Sequence, residues 1–285
     1  MSVNTLRFDT SSYANFRIVF GLYLTIHFAQ LLPWGVELFS DQGVLPDATA
    51  SPLLFLFPNV FALNDSPLFV STLLVFAIVV SVMFTVGICD RPAALALWYV
   101  LACLFGRNPL IANPSLPYVG FLLLAHFFRR TSPQQVYAVI WILMALSYSY
   151  SGYAKLSSPS WLDGSAVEQI LNNPLARPTV IRHALLTLPS VLLLAATWFV
   201  LAVELLFAPF SLFRRLRPFL WAMMLTLHLS LIVLIDFADL SWGMVMVHLY
   251  TFDHRMTKYF PIPKLKWPLH RRKQPDEHLA VRLTM

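Results

Sequence analysis

Eight apolar runs dominate this chain, at about 13–32, 68–88, 92–105, 116–128, 134–153, 188–209, 218–235 and 240–252. The longer ones reach the roughly 20 residues an α-helix needs to cross the hydrocarbon core of a bilayer. Composition agrees: 58% of the 285 residues are hydrophobic and 12% are charged, against about 25% charged in an ordinary soluble domain. The pattern predicts an all-α fold, a polytopic membrane helical bundle of about eight transmembrane segments. Three runs, 92–105, 116–128 and 240–252, cover only about 20 Å of a core near 30 Å. Such pieces are expected to be broken, re-entrant or shielded by their neighbours.

Basic residues tell the two sides of the membrane apart. Of the twenty Lys and Arg, fifteen fall on one side: Arg7, Arg91, Arg129, Arg130, Arg214, Arg215, Arg217 and eight between Arg255 and Arg282. Arg107, Lys155, Arg177 and Arg182 fall on the other, and Arg17 lies inside the first run. Positive charge collects on the cytoplasmic side, so both termini are expected in the cytoplasm. The same reading gives a membrane-embedded domain over 1–253, with outer loops at 33–67 and 154–189, and a basic cytoplasmic tail over 254–285. In the first outer loop, Pro52 to Leu63 is apolar but too short to span, and reads as an interfacial or re-entrant piece. In the second, one short helix is expected near Ser165 to Leu171. Membrane lipid is the expected surrounding. The formal charge of +6 forms no stripe on a polar fold, which argues against a nucleic acid partner.

Ionisable groups within apolar runs are costly unless paired or facing a cavity. Arg17 and Glu204 stand about five residues from the cytoplasmic ends of their runs, and their matching depth suggests a structural ion pair. Lys155 stands at the end of the fifth run, and Tyr148, Ser151, Gly152 and Lys155 share one helical face. Gly152 leaves room there for a flat ligand or a close neighbouring helix, while Tyr148, Tyr150, Tyr153 and Trp161 supply aromatic walls. His27 and His228 are placed to face a shared cavity, and Asp236 and Asp239 to orient a base or mark the water boundary. Gly106 to Pro114 offers Arg107, Asn108 and Asn113 in a non-helical insertion, which a membrane tolerates where it lines a protein cavity. With Cys89 and Cys103 in apolar surroundings and no close His or Cys spacing, neither a metal nor thiol chemistry is expected. Nor is a nucleotide, since no glycine-rich phosphate loop occurs.

The stretch Tyr148-x-x-x-Gly152-x-x-Lys155-Leu156, followed by Trp161 and Gly164, resembles the vitamin K-dependent gamma-carboxylase family and its bacterial relatives, the HTTM (horizontally transferred transmembrane) domain proteins. Arg17 with Gly21, and His228 with Gly243, are similar as well. The resemblance implies an integral membrane enzyme of a bacterial plasma membrane that works with a reduced quinone near the extracytoplasmic face. On that likeness, the lysine at 155 deprotonates the quinol, whose oxygenated product is base enough to prepare a glutamate for carboxylation. His228 would assist catalysis, and Tyr148, Gly152, Tyr153, Trp161, His27, Asn108 and Asn113 would shape the cofactor and substrate pocket. Small members of the family, of the sporulation-delaying protein B type, imply a second reading: a non-enzymatic membrane partner in maturation or export of a secreted peptide.

Overall fold

Without water, a backbone must satisfy its own N–H and C=O groups, and the α-helix does so within one segment. The computed structural model follows that rule; it describes residues 10–111, 113–129, 133–236 and 239–253, with Met256 and Tyr259. The helices are α1 (Thr10–Leu31), α2 (Gly35–Phe39), α3 (Pro67–Val86), α4 (Asp90–Arg107), α5 (Leu116–Phe128) and α6 (Pro133–Lys155). They continue as α7 (Pro159–Leu162), α8 (Ala166–Leu171), α9 (Val180–Leu186), α10 (Ser190–Ser211), α11 (Arg217–Leu234) and α12 (Asp239–Thr251). Among the described residues the sole β feature is an isolated bridge between Ala176 and Ile235. The eight apolar runs become α1, α3, α4, α5, α6, α10, α11 and α12. Five stretches, Tyr13–Phe39, Pro67–Val86, Gln134–Lys155, Ser190–Ser211 and Arg217–Leu234, are long and apolar enough to cross a membrane. Residues up to Phe252 form one compact unit; the basic tail expected at 254–285 lies almost wholly outside the described residues.

Helix ends follow local chemistry. Proline opens the first turns of α3, α5, α7 and α11, where its missing N–H costs nothing. Gly87 closes α3 at φ 86°, and its N–H with that of Ile88 caps the carbonyl of Met83. In the tight turn before α8, the exposed Asp163 carboxylate accepts bonds from the Ser165 N–H and hydroxyl, which hold its pKa below the usual carboxylate value.

Packing pairs α1 with α3, α4 with α5, and α6 with α10. Buried on nearly every face, α12 lies among α5, α6 and α11. The α6–α10 pair is offset. A β-carbon on Gly152 would collide with the backbone of Glu204 and Leu205, and the Ser149 hydroxyl accepts from the N–H of Ala208 at 2.8 Å. Gly152 therefore serves the close-helix alternative, and α6 ends about two-thirds of the way along α10. The chain then turns back as α7 and α8 against the N-terminal half of α10, where Trp198 donates to the carbonyl of Leu162 and the N–H of Val167 to Thr197.

Basic side chains gather the ends of the helices. At one end the Arg91 guanidinium donates to the carbonyl of Phe127 and that of Arg129 lies 3.4 Å from the Tyr13 ring centre. Arg217 covers Trp141 at the same end. At the other end Arg107, fully buried, donates through Nη2 to the carbonyls of Ser40 and Leu45 and to Asp65. Asn108 donates to the carbonyl of Leu38, and Ser51 and Asn59 reach the carbonyls of Gly106 and Cys103. These bonds fasten the 33–66 loop to the end of α4. The apolar piece expected at Pro52 to Leu63 is thus a turn-rich segment that buries Leu54 and Phe61 and exposes Phe55, Leu56 and Leu63.

Candidate functional site

A cavity of about 480 Å³ opens between the C-terminal ends of α1 and α4 and the N-terminal ends of α5 and α12, under the roof formed by Trp34 to Phe39. Its walls are mainly apolar, with Leu31, Leu101, Leu104, Phe105 and Leu116. The polar lining is His27 and Gln30 from α1, Glu37 from α2, Asn108 and Asn113 from the insertion, and Asp239 from the start of α12. A few convergent polar groups on an apolar concavity are the usual form of a small-molecule site. Beside it lies a second space of about 520 Å³, lined by apolar side chains with Trp98. Leu101, Phe105 and Leu116 belong to the walls of both.

The polar floor is ordered. His27 Nδ1 lies 3.2 Å from Asp239 Oδ1, and a carboxylate can only accept, so Nδ1 carries the proton in the neutral ring. Asn113 Nδ2 donates to the other Asp239 oxygen. The Asn113 carbonyl oxygen in turn accepts from the Ser115 N–H at 2.8 Å and from its hydroxyl. The N–H of Ser115 is thereby satisfied just before α5 begins. His27 is 7% exposed, and its Nε2 has no hydrogen-bond partner among the described residues. Tyr23 stacks on this ring at 6.0 Å, and its hydroxyl is also without a bond.

A second polar cluster occupies the contact of α6, α10, α11 and α12. The Tyr148 hydroxyl lies 2.9 Å from His228 Nε2 and 3.5 Å from His248 Nε2. His248 Nδ1 donates to the carbonyl of Met244 at 2.9 Å, so its Nε2 must accept. Tyr148 therefore donates to His248 and accepts from His228, whose Nδ1 accepts from Ser241 at 3.4 Å. Every hydrogen in this buried chain has one place to go. Replacing Tyr148 with Phe would leave a donor on His228 and an acceptor on His248 unmatched, at a cost of about 2 kcal/mol. A thermal melt of the purified variant that matched the parent would contradict this assignment.

Lys155 sits at the end of α6 with its amine shared among three groups. It donates to Glu204 and, at 3.0 Å, to the Ser151 hydroxyl, and lies 4.8 Å from the centre of the Trp161 ring. Two expectations are corrected here. The Arg17–Glu204 pair does not form: Arg17 instead donates to the Phe84 carbonyl at the C-terminal end of α3, where the helix dipole favours a cation. Equal depth did not make the two side chains neighbours, because α1 packs on α3 and α10 on α6. Tyr153 builds no wall for Lys155: it is 67% exposed and Tyr150 is 72% exposed, on the outward side of α6.

Of the residues expected in the site, the cavity brings together His27, Asn108 and Asn113, while Tyr148, Gly152, Lys155, Trp161 and His228 lie outside its lining. His27 and His228 therefore do not share it. Gln30 and Glu37 were not anticipated, although Glu37 stands in the acidic outer loop. Also unanticipated is a cluster at the opposite end, where His126 bridges Tyr13 at 2.6 Å and Asp90 at 3.2 Å. No grouping that could hold a metal ion occurs among the described residues. No family model matches this chain, and no curated protein or solved structure matches it either.

Proposed function

We propose that this chain is an integral membrane protein with both ends in the cytoplasm, and that its cavity takes a lipid whose flat head carries hydroxyl groups, a reduced quinone being the type. The observation that carries this reading is the junction of a partly polar cavity with an apolar space of similar size across Leu101, Phe105 and Leu116. A head bearing hydrogen-bonding oxygens suits His27, Asn108 and Asn113; a hydrocarbon tail suits the second space. Orientation rests on the charge asymmetry of the loops. In this topology α4 crosses as a sixth helix, and the two 13-residue helices α5 and α12, each about 20 Å long, complete eight segments under the shelter of their neighbours.

The carboxylase-like resemblance supplies the reaction class, one that begins with proton loss from the quinol. Lys155 enters that scheme differently from the sequence expectation. It lines neither space, and an ammonium that donates to Glu204 and Ser151 offers no lone pair. In this reading it fastens α6 to α10.

Trp34 and Trp98, one beside each space, are built-in reporters. A naphthoquinone with an isoprenoid tail should quench their fluorescence saturably in nanodiscs. Filling the cavity by Leu104→Trp should weaken binding by at least roughly tenfold, about 1.4 kcal/mol. Removing the tail should weaken it comparably. Unchanged affinity in the Leu104→Trp protein would end the proposal.

A further inference from the structure

We infer that His27 takes a proton from the ligand hydroxyl in this cavity, with Asp239 as its positioning residue and Asn113 as the brace on Asp239. The inference rests on the ligand site proposed above. Four histidines are buried among the described residues, and they differ in one respect. His126, His228 and His248 each have both ring nitrogens beside a hydrogen-bond partner. His27 has a partner for Nδ1 alone, and its Nε2 is enclosed and unmatched. A buried acceptor left this way is costly unless something fills the place, and His27 is one of the residues that line the 480 Å³ cavity.

The bonds around it set the direction of proton flow. Asp239 holds the Nδ1 proton, so the lone pair of the neutral ring is on Nε2. Asp239 is fixed in turn by Asn113, and Asn113 by Ser115, so α1, α5 and α12 meet in one rigid arrangement. In the step itself the O–H bond of an aromatic hydroxyl breaks, its electron pair stays on oxygen, and an N–H bond forms at Nε2. The imidazolium so made faces the Asp239 carboxylate. No oxidant or metal enters. Imidazole exchanges protons near neutral pH, and a carboxylate behind it is the arrangement that keeps such a base in the reactive tautomer. Among the described residues, Glu37 on the roof and Tyr23 against the ring are the other ionisable groups of this site.

A 4-nitrophenol carrying an alkyl tail reports the step directly, because its phenolate absorbs visible light and its neutral form does not. Bound to the wild-type protein in nanodiscs at a pH below its solution midpoint, the probe should show the phenolate band. His27→Gln should bind it as the neutral phenol, with the phenolate-to-phenol ratio reduced by roughly tenfold or more, one pKa unit of the bound probe. Asp239→Asn should do the same through the tautomer, since an amide at this position donates to Nδ1 and moves the ring proton to Nε2. The ratio is read at saturating probe, so that a weaker affinity in either variant does not alter it. A wild-type spectrum from His27→Gln with quinone binding intact would overturn the inference and leave the ligand site standing. Failure of the wild-type protein to bind either probe would overturn both.

Discussion

Replacing Glu204 with alanine should lower the unfolding free energy by about 3 kcal/mol. The carboxylate is 5% exposed and receives the Lys155 ammonium. Removing one member of a buried pair strands the other, and the stranded charge accounts for most of the loss. The Lys155 side chain retains 22% of its surface, which places the effect at the low end of the range for such pairs. Removing both charges, as Lys155→Met with Glu204→Leu, should restore most of the stability, since two apolar side chains of similar volume need no partner. Thermal unfolding in nanodiscs measures both. A double variant as unstable as the single one would mean that packing of α6 against α10, and not the stranded ammonium, governs the loss.

Arg107→Leu is expected to release the 33–66 loop. Three acceptors, the carbonyls of Ser40 and Leu45 and the carboxylate of Asp65, converge on one nitrogen of this buried guanidinium. Their loss together costs about 3 kcal/mol, most of it from the unmatched buried acceptors. Residues Trp34 to Phe39 of the same loop roof the cavity, so the variant should also lose saturable quinone quenching. Limited proteolysis should cut within 40–66 in the variant at protease levels that leave the parent intact. Arg107→Lys should rescue part of the loss, because the three acceptors meet at one nitrogen and an ammonium brings three donors to one point. A resistant loop in Arg107→Leu would show that Asn108, Ser51 and Asn59 suffice to hold it.

Hydropathy located the helices because burial in an apolar medium is a property of each segment by itself. The eight runs and the short helix near Ser165 to Leu171 appear within a few residues of where the sequence puts them. The insertion expected at Gly106 to Pro114 was legible in part, since its prolines and asparagines fit no span, but Gly106 and Arg107 belong to α4 and Pro109–Ile111 is a 3-10 turn. Partners between segments were not. His27 and Asp239 are 212 residues apart, and nothing local in either stretch marks the other. Depth along a helix gave Arg17 and Glu204 a common level but no common neighbour, and the amine that found Glu204 came from the end of a shorter path. The role of Gly152 had two readings until a second backbone stood against it.

The offset of α6 against α10 bears on the surrounding lipid. Lys155 meets Glu204 fourteen residues past Ser190, a distance of about 20 Å along the helix axis. Exposed Val191, Leu192, Trp198 and Phe199 cover that interval of α10, while α6 contributes nothing to it. There α7 and α8 stand against α10 in its place, and Glu204 is enclosed at 5% exposure. In a bilayer, lipid on that flank would follow two short helices and not a full span, and its packing would differ there from that along α3 or α11.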